Sequence, residues 1–153
     1  MKEIEFVVPG KPQGKARART FYNDRMGRMQ SITPEKTVLY ENLVKLCYSQ
    51  VAKEEVMDEG ALEVDVDAVF VPPASVPKWR KANMLAGREF PTVKPDMDNI
   101  IKVILDALNG LAYSDDKKVA VVVGQKRFGK EEQVSVHILC LTKDIGDEGG
   151  GDG

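Results

Sequence analysis

Residues 94–110 read KPDMDNIIKVILDALNG, and their apolar positions recur with a helical period rather than alternating. With Asp98 as N-cap, Asp98, Asn99, Lys102 and Asp106 fall along one polar stripe. Ile100, Ile101, Val103, Ile104, Leu105 and Leu108 then spread over the faces left for burial. Asn109-Gly110 supplies a C-terminal cap. The spacing predicts a helix from about Asp98 to Leu108 with its apolar residues on the buried faces.

The flanking sequence offers strands and further helices. Upstream, ALEVDVDAVFV (61–71) alternates strictly, which predicts a half-buried strand with Leu62, Val64, Val66, Ala68 and Phe70 facing inward, stopped by Pro72-Pro73. SVPKWRKANMLAG (75–87) predicts a short basic helix ending at Gly87. Further back, Thr33 as N-cap and Pro34 at the first helical position open a helix of about five turns, with Val38, Leu39, Leu43, Leu46, Cys47 and Val51 at helical spacing. EIEFVV (3–8) predicts an opening strand, and residues 9–32 a long basic loop with a hairpin at NDRMGR. Downstream, KVAVVVGQKRF (118–128) and EQVSVHILCLT (132–142) predict two strands joined as a hairpin through GKE. The order β-α-β-(short α)-α-β-β fits an α+β fold: a two-layer domain with a mixed β-sheet packed against two main helices. Residues 1–143 are expected to form one domain. The ending DIGDEGGGDG (144–153), with four acids and no base, is expected to stay disordered.

At 153 residues, 42% hydrophobic and 30% charged, the chain can bury a core without disulfide staples. Cys47 and Cys140 form no C-x-x-C pair or secretory framework, so they read as reduced core residues of a cytoplasmic protein. Met1-Lys2-Glu3 runs straight into a strand without a leader, and no apolar run approaches the roughly 18 to 20 residues that a membrane helix needs. The net charge of −2 hides two basic segments. Between Pro9 and Gln30 six cations face only Asp24, and between Lys78 and Lys94 the single acid is Glu89. Lys11, Lys15, Arg17 and Arg19 are the first candidates for contacts to a polyanion, followed by Lys78, Arg80, Lys81 and Lys94; the alternative is a solvated loop.

The acids around the central helix are unusual. Asp96 and Asp98 stand one residue apart at its start, and Asp115-Asp116 follow its end. Two carboxylates about 5 Å apart repel by roughly 3 kcal/mol at an effective dielectric of 20. If Asp116 converges on Asp96 and Asp98, Lys102 offsets one charge and a hard divalent cation the rest. The simpler alternative is that Asp98 caps the helix and Asp115-Asp116 make a turn. Asp106, roughly 12 Å along the axis from Asp98, cannot share an ion with it and is expected to pair with Lys102. Other motifs fit poorly. Ile100 and Ile101 stand where a calcium loop needs an oxygen ligand and a glycine, and GKPQGKA lacks the spacing and the Ser/Thr of a nucleotide-binding loop. His137 is the only histidine and falls on the polar side of a strand, which argues against zinc or Ser-His-Asp chemistry.

KPDMDNIIKVILDALNGLAYSDDKKV resembles the signature of the RusA family of Holliday junction resolvases: Asp-x-Asp-Asn, a Lys three residues on, Asp-Ala-Leu, then Asp-Asp shortly before a strand. The resemblance implies a magnesium site formed by Asp96, Asp98 and Asp116, with Lys102 needed for cleavage. The interval from Lys102 to the acidic pair is one residue shorter than in that pattern, which makes Asp115 the alternative third ligand. Lys118 stands where the pattern often has Gln. The implied activity is a crossover junction endodeoxyribonuclease using Mg²⁺, with Mn²⁺ as a possible substitute, that resolves four-way junctions and other branched DNA by paired symmetric nicks in recombination and repair. A junction is nearly two-fold symmetric, so one site per chain implies a homodimer. The competing expectations are a broader metal-dependent nuclease acting on flaps or RNA, and a non-catalytic DNA-binding module.

Overall fold

A computed structural model describes residues 2–141. The expected tail, 144–153, and Thr142, the last residue of the expected final strand, lie outside the described residues. Alternation of side chains builds most of the main sheet. Strand β1 (Glu3–Pro9) buries Ile4, Phe6 and Val8, and β4 (Leu62–Phe70) buries Leu62, Val64, Val66, Ala68 and Phe70 together with Val69. The last strand, β6 (Gln133–Cys140), buries Val134, Val136, Ile138 and Cys140. The other elements, in chain order, are β2 (Arg19–Asn23), β3 (Arg28–Ile32), α1 (Glu35–Ala52), α2 (Lys78–Leu85), α3 (Met97–Leu108), a 3₁₀ turn (Asp116–Lys118) and β5 (Val119–Phe128).

The sheet order is β1-β6-β4-β5, antiparallel except for the parallel pair β4–β5, so the sheet is mixed. Helices α1 and α3 pack together on one face, α1 over β1 and α3 over β5. Phe6 meets Tyr48 of α1 edge to face, with ring centroids 5.7 Å apart. Cys47 and Cys140 are free and buried, as expected. This is the α+β architecture that the element order implies.

Three local expectations are corrected. First, β5 and β6 do not form a hairpin, because β4 lies between them. The chain crosses the end of β4 at Gly129, whose N–H donates to the Phe70 carbonyl at 2.9 Å. A Cβ at Gly129 would stand 2.5 Å from Val69 Cγ1, so any side chain there would have to displace Val69. Second, Thr33 does not cap α1; Pro34 occupies the N-cap position and no side-chain capping bond forms. Third, α1 buries Thr37, Tyr40, Val44, Cys47, Tyr48 and Ala52, leaving Val38, Leu39, Leu46 and Val51 exposed. The expected hairpin at NDRMGR is present as the β2–β3 ribbon. The Asn23 side chain accepts from the N–H groups of Arg25 and Met26, and Gly27 turns with φ 63°.

Candidate functional site

Asp96, not Asp98, holds the N-cap position of α3. Its carbonyl accepts the first helical bond from Ile100 N–H at 3.1 Å, but its carboxylate makes no capping bond. Asp98 sits in the first turn, and both acids are exposed. The unpaired N–H groups at this end make it the favourable end for negative charge. Two carboxylates free of other partners, at the start of a rigid helix, suit a hard cation that keeps several waters.

The basic loop folds onto this helix end. Gly14 lies so close that a Cβ would meet Asn99 Cβ at 2.9 Å and Pro95 Cβ at 3.0 Å. Lys15 N–H donates to the Asn99 carbonyl at 3.0 Å, and Ala16 N–H to Thr37 Oγ1 of α1 at 3.2 Å. Between loop and helices lies a cleft of about 500 Å³ whose charged and polar walls include Lys11, Lys36, Lys94, Asp96 and Asn99. Tyr40 lies on the buried face of α1 and its hydroxyl is pushed up to about 12 by that burial, so it stays protonated at neutral pH.

Lys15 does not face this cleft as a free cation. Its Nζ lies 3.0 Å from Glu41 Oε2 of α1 and 3.2 Å from Asp106 Oδ2 of α3. Burial alone would lower its pKa, but the two carboxylates more than offset this and raise it. Asp106 thus pairs with Lys15, not with Lys102, and Lys102 stands exposed without an ion pair among the described residues.

The second acidic pair sits at the other end of α3. Asp116 N–H donates to Asn109 Oδ1 at 3.2 Å, at the C-cap of the helix. Asp115 Oδ1 is taken up by Lys117 N–H at 2.9 Å, capping the 3₁₀ turn, which leaves the Asp116 carboxylate as the free one. Buried Tyr113 donates to the Leu105 carbonyl at 3.0 Å; burial, then Asp116 and Asp106, hold its phenol well above the ordinary range. Lys118 reaches Asp58 Oδ1 at 2.8 Å and so has a structural partner. From Asp98 to Asn109 the helix rises about 16 Å. Within one chain, among the described residues, no three His, Cys, Asp or Glu side chains stand close enough to hold a metal ion.

Of the expected phosphate contacts, Lys11 and Lys94 line the cleft, and Arg17 and Arg19 are exposed at the foot of the ribbon. Lys78 and Lys81 are exposed on α2, whereas Arg80 forks onto Glu89. Lys36 and Asn99 were not singled out from the sequence as site residues. The signals were Lys36 directly after the Thr-Pro-Glu helix start and the Asn of the Asp-x-Asp-Asn motif.

Comparison with known proteins agrees with the signature. The family model described as Endodeoxyribonuclease RusA matches residues 9–139. An uncharacterized protein of Bacillus subtilis (strain 168), YqaN, is 34% identical over 137 residues, spanning 88% of this chain and 94% of that protein.

Proposed function

The chain belongs to the RusA endodeoxyribonuclease family, and on that premise we propose that it resolves four-way DNA junctions by paired, Mg²⁺-dependent nicks in recombination and repair. The observation that carries this reading is the pair of cap-free carboxylates at the start of α3, Asp96 and Asp98, of which Asp96 lines a cleft walled by Lys11, Lys36 and Lys94. Asp96 and Asp98 would hold Mg²⁺, which polarises a phosphate and acidifies a bound water when present. Lys11, Lys36 and Lys94 draw in the strand and hold its phosphates. Arg17 and Arg19 extend that contact along the ribbon. Lys102, one turn beyond Asp98 and unpaired, neutralises charge that builds on the phosphate.

The third carboxylate is proposed to come from a second copy. Strand β5 is an edge, and Val121, Val122 and Val123 are exposed along it. Helix α3 runs antiparallel to β5: Asn109 meets Asp116 at the strand's start, and Met97 and Ile101 lie against Gly124 further on. Antiparallel pairing of two β5 edges, crossing near Val121, would carry each Asp116 toward the other copy's Asp96 and Asp98. Such a dimer also covers the valines and presents two sites related by a two-fold axis.

A synthetic four-way junction tests the reading. Paired symmetric nicks with Mg²⁺ or Mn²⁺, absent with EDTA, are expected. Equal cutting of duplex, single strands or RNA would replace it with a broader nuclease. Junction binding without any cutting would leave a DNA-binding module.

A further inference from the structure

The excursion between β4 and α3 carries aromatic surface that the fold does not use. Trp79, the only tryptophan of the sequence, is 68% exposed on α2, and Phe90 is 58% exposed just after it. Tryptophan is on average among the more buried residues, and α2 itself buries only Met84. The segment is nonetheless held in shape. Arg80 forks onto Glu89, with Nη2 at 2.7 Å from Oε1; Arg88 donates to Asn83 Oδ1 at 3.1 Å; and Gly87 reverses the chain at φ 80°. Lys126 Nζ donates to the Val93 carbonyl at 2.5 Å and anchors the return.

Charge says what this surface faces. Glu89 is the single acid between Pro72 and Pro95, and Arg80 neutralises it. Lys78 and Lys81 flank Trp79 in sequence and Lys94 follows Phe90 by four residues, and all three are exposed without an ion pair among the described residues. A hollow of about 660 Å³ lined by Phe90, Val93 and Met84 also includes Lys11 and Lys94, which wall the cleft at Asp96. An exposed tryptophan flanked in sequence by lysines, and an exposed phenylalanine in a hollow that shares Lys11 and Lys94 with the cleft, match a nucleic acid whose bases are exposed.

We infer that Trp79 and Phe90 form a stacking platform for bases that come unpaired where branched DNA opens, with Lys78 and Lys81 on the adjoining phosphates. This rests on the nuclease reading and adds to it the means of choosing a branch over a continuous duplex. A paired duplex hides its base faces, and only an opened branch offers them to the rings.

The lone tryptophan reports directly. The full chain carrying Asp98→Asn, to stop cutting, is titrated with a four-way junction and with a fully paired duplex of the same arm sequence. Binding is followed separately by gel shift. Expected are quenching of Trp79 emission by the junction and little by the duplex. Trp79→Ala should weaken junction binding about tenfold, Trp79→Phe should restore most of it, and Lys78→Ala with Lys81→Ala should lower the salt dependence. Junction binding with unchanged emission, or equal quenching by the duplex, would overturn the platform and leave the nuclease reading standing. Emission that shifts with protein concentration in the absence of DNA would assign the surface to a second copy and overturn it likewise. No binding to any DNA would overturn both.

Discussion

Asp96 and Asp98 are separated by one residue, yet the backbone treats them differently. Asp96 is in extended conformation at the N-cap, φ −66° and ψ 148°, and Asp98 is helical. Neither carboxylate is needed to hold the helix, so Asp98→Asn should leave the fold intact. It should reduce Mg²⁺-dependent junction cutting at least about a hundredfold. Binding should be kept or tightened, because repulsion of phosphate falls; gel shift and cleavage on the same preparation check both. Gly129→Ala is a test of the fold alone. Its Cβ must displace Val69 at the crossing over β4, costing about 1 to 3 kcal/mol in denaturant unfolding. Single residues also show where sequence patterning stopped. The Lys102–Asp106 spacing predicted an i,i+4 pair, but Lys15, from a loop 91 residues earlier, lies 3.2 Å from Asp106. Local periodicity has no access to such a partner.

At the level of elements, most helices and strands were legible because burial follows their periods. Leu62 to Ala68 alternates in the structure as it does in the sequence, and α3 begins and ends within a residue or so of its predicted bounds. Pairing was less legible. A four-residue link after β5 reads like a hairpin loop, and nothing local shows that β4 will occupy the space between the two strands. On α1 apolar residues occur on both sides. The buried side was set by contact with β1 and α3, which favoured Tyr40 and Tyr48 over Leu39 and Leu46. The α1–α3 junction is clasped by Lys15 between Glu41 and Asp106. Lys15→Met, which keeps the stem and removes the charge, should cost about 1 to 3 kcal/mol in thermal or chemical unfolding, because two partly buried carboxylates lose their cation. The 3₁₀ turn carrying Asp116 is tied to Asp58 through Lys118. The Lys118 hydrogen bond holds the Asp58 carboxyl below its usual range, with help from Ser114. A depressed carboxyl contributes stability above its unfolded pKa, about 3.9, and loses it as pH falls through the lower folded value. The stability difference between the protein and Lys118→Met should therefore shrink as pH is lowered from about 5 to below the folded pKa, as melting curves across that range would show.

For the whole molecule, the separation of Asp98 from Asp116 along α3 makes a prediction that no single-chain site shares. If each site takes Asp98 from one copy and Asp116 from the other, mixing Asp98→Asn with Asp116→Asn chains rebuilds one intact site per mixed dimer. Such mixtures should nick junctions on one strand, though each variant alone is inactive. Continued inactivity, with mixed dimers verified by mass, would overturn the site shared between copies. The sequence carried the acids and their family signature, but it did not show the roughly 16 Å between the two acidic ends. That distance depends on α3 lying along β5 with Asp116 anchored to Asn109.

The β2–β3 ribbon has no buried residue in either strand, so its side chains add nothing to the common core. Its length and tip are therefore free to vary independently of folding: residues inserted between Asp24 and Gly27 would lengthen the arm while leaving the melting temperature near its starting value. A relative that grips larger or differently shaped substrates could arise by growth at this tip alone, with the acidic start of α3 untouched.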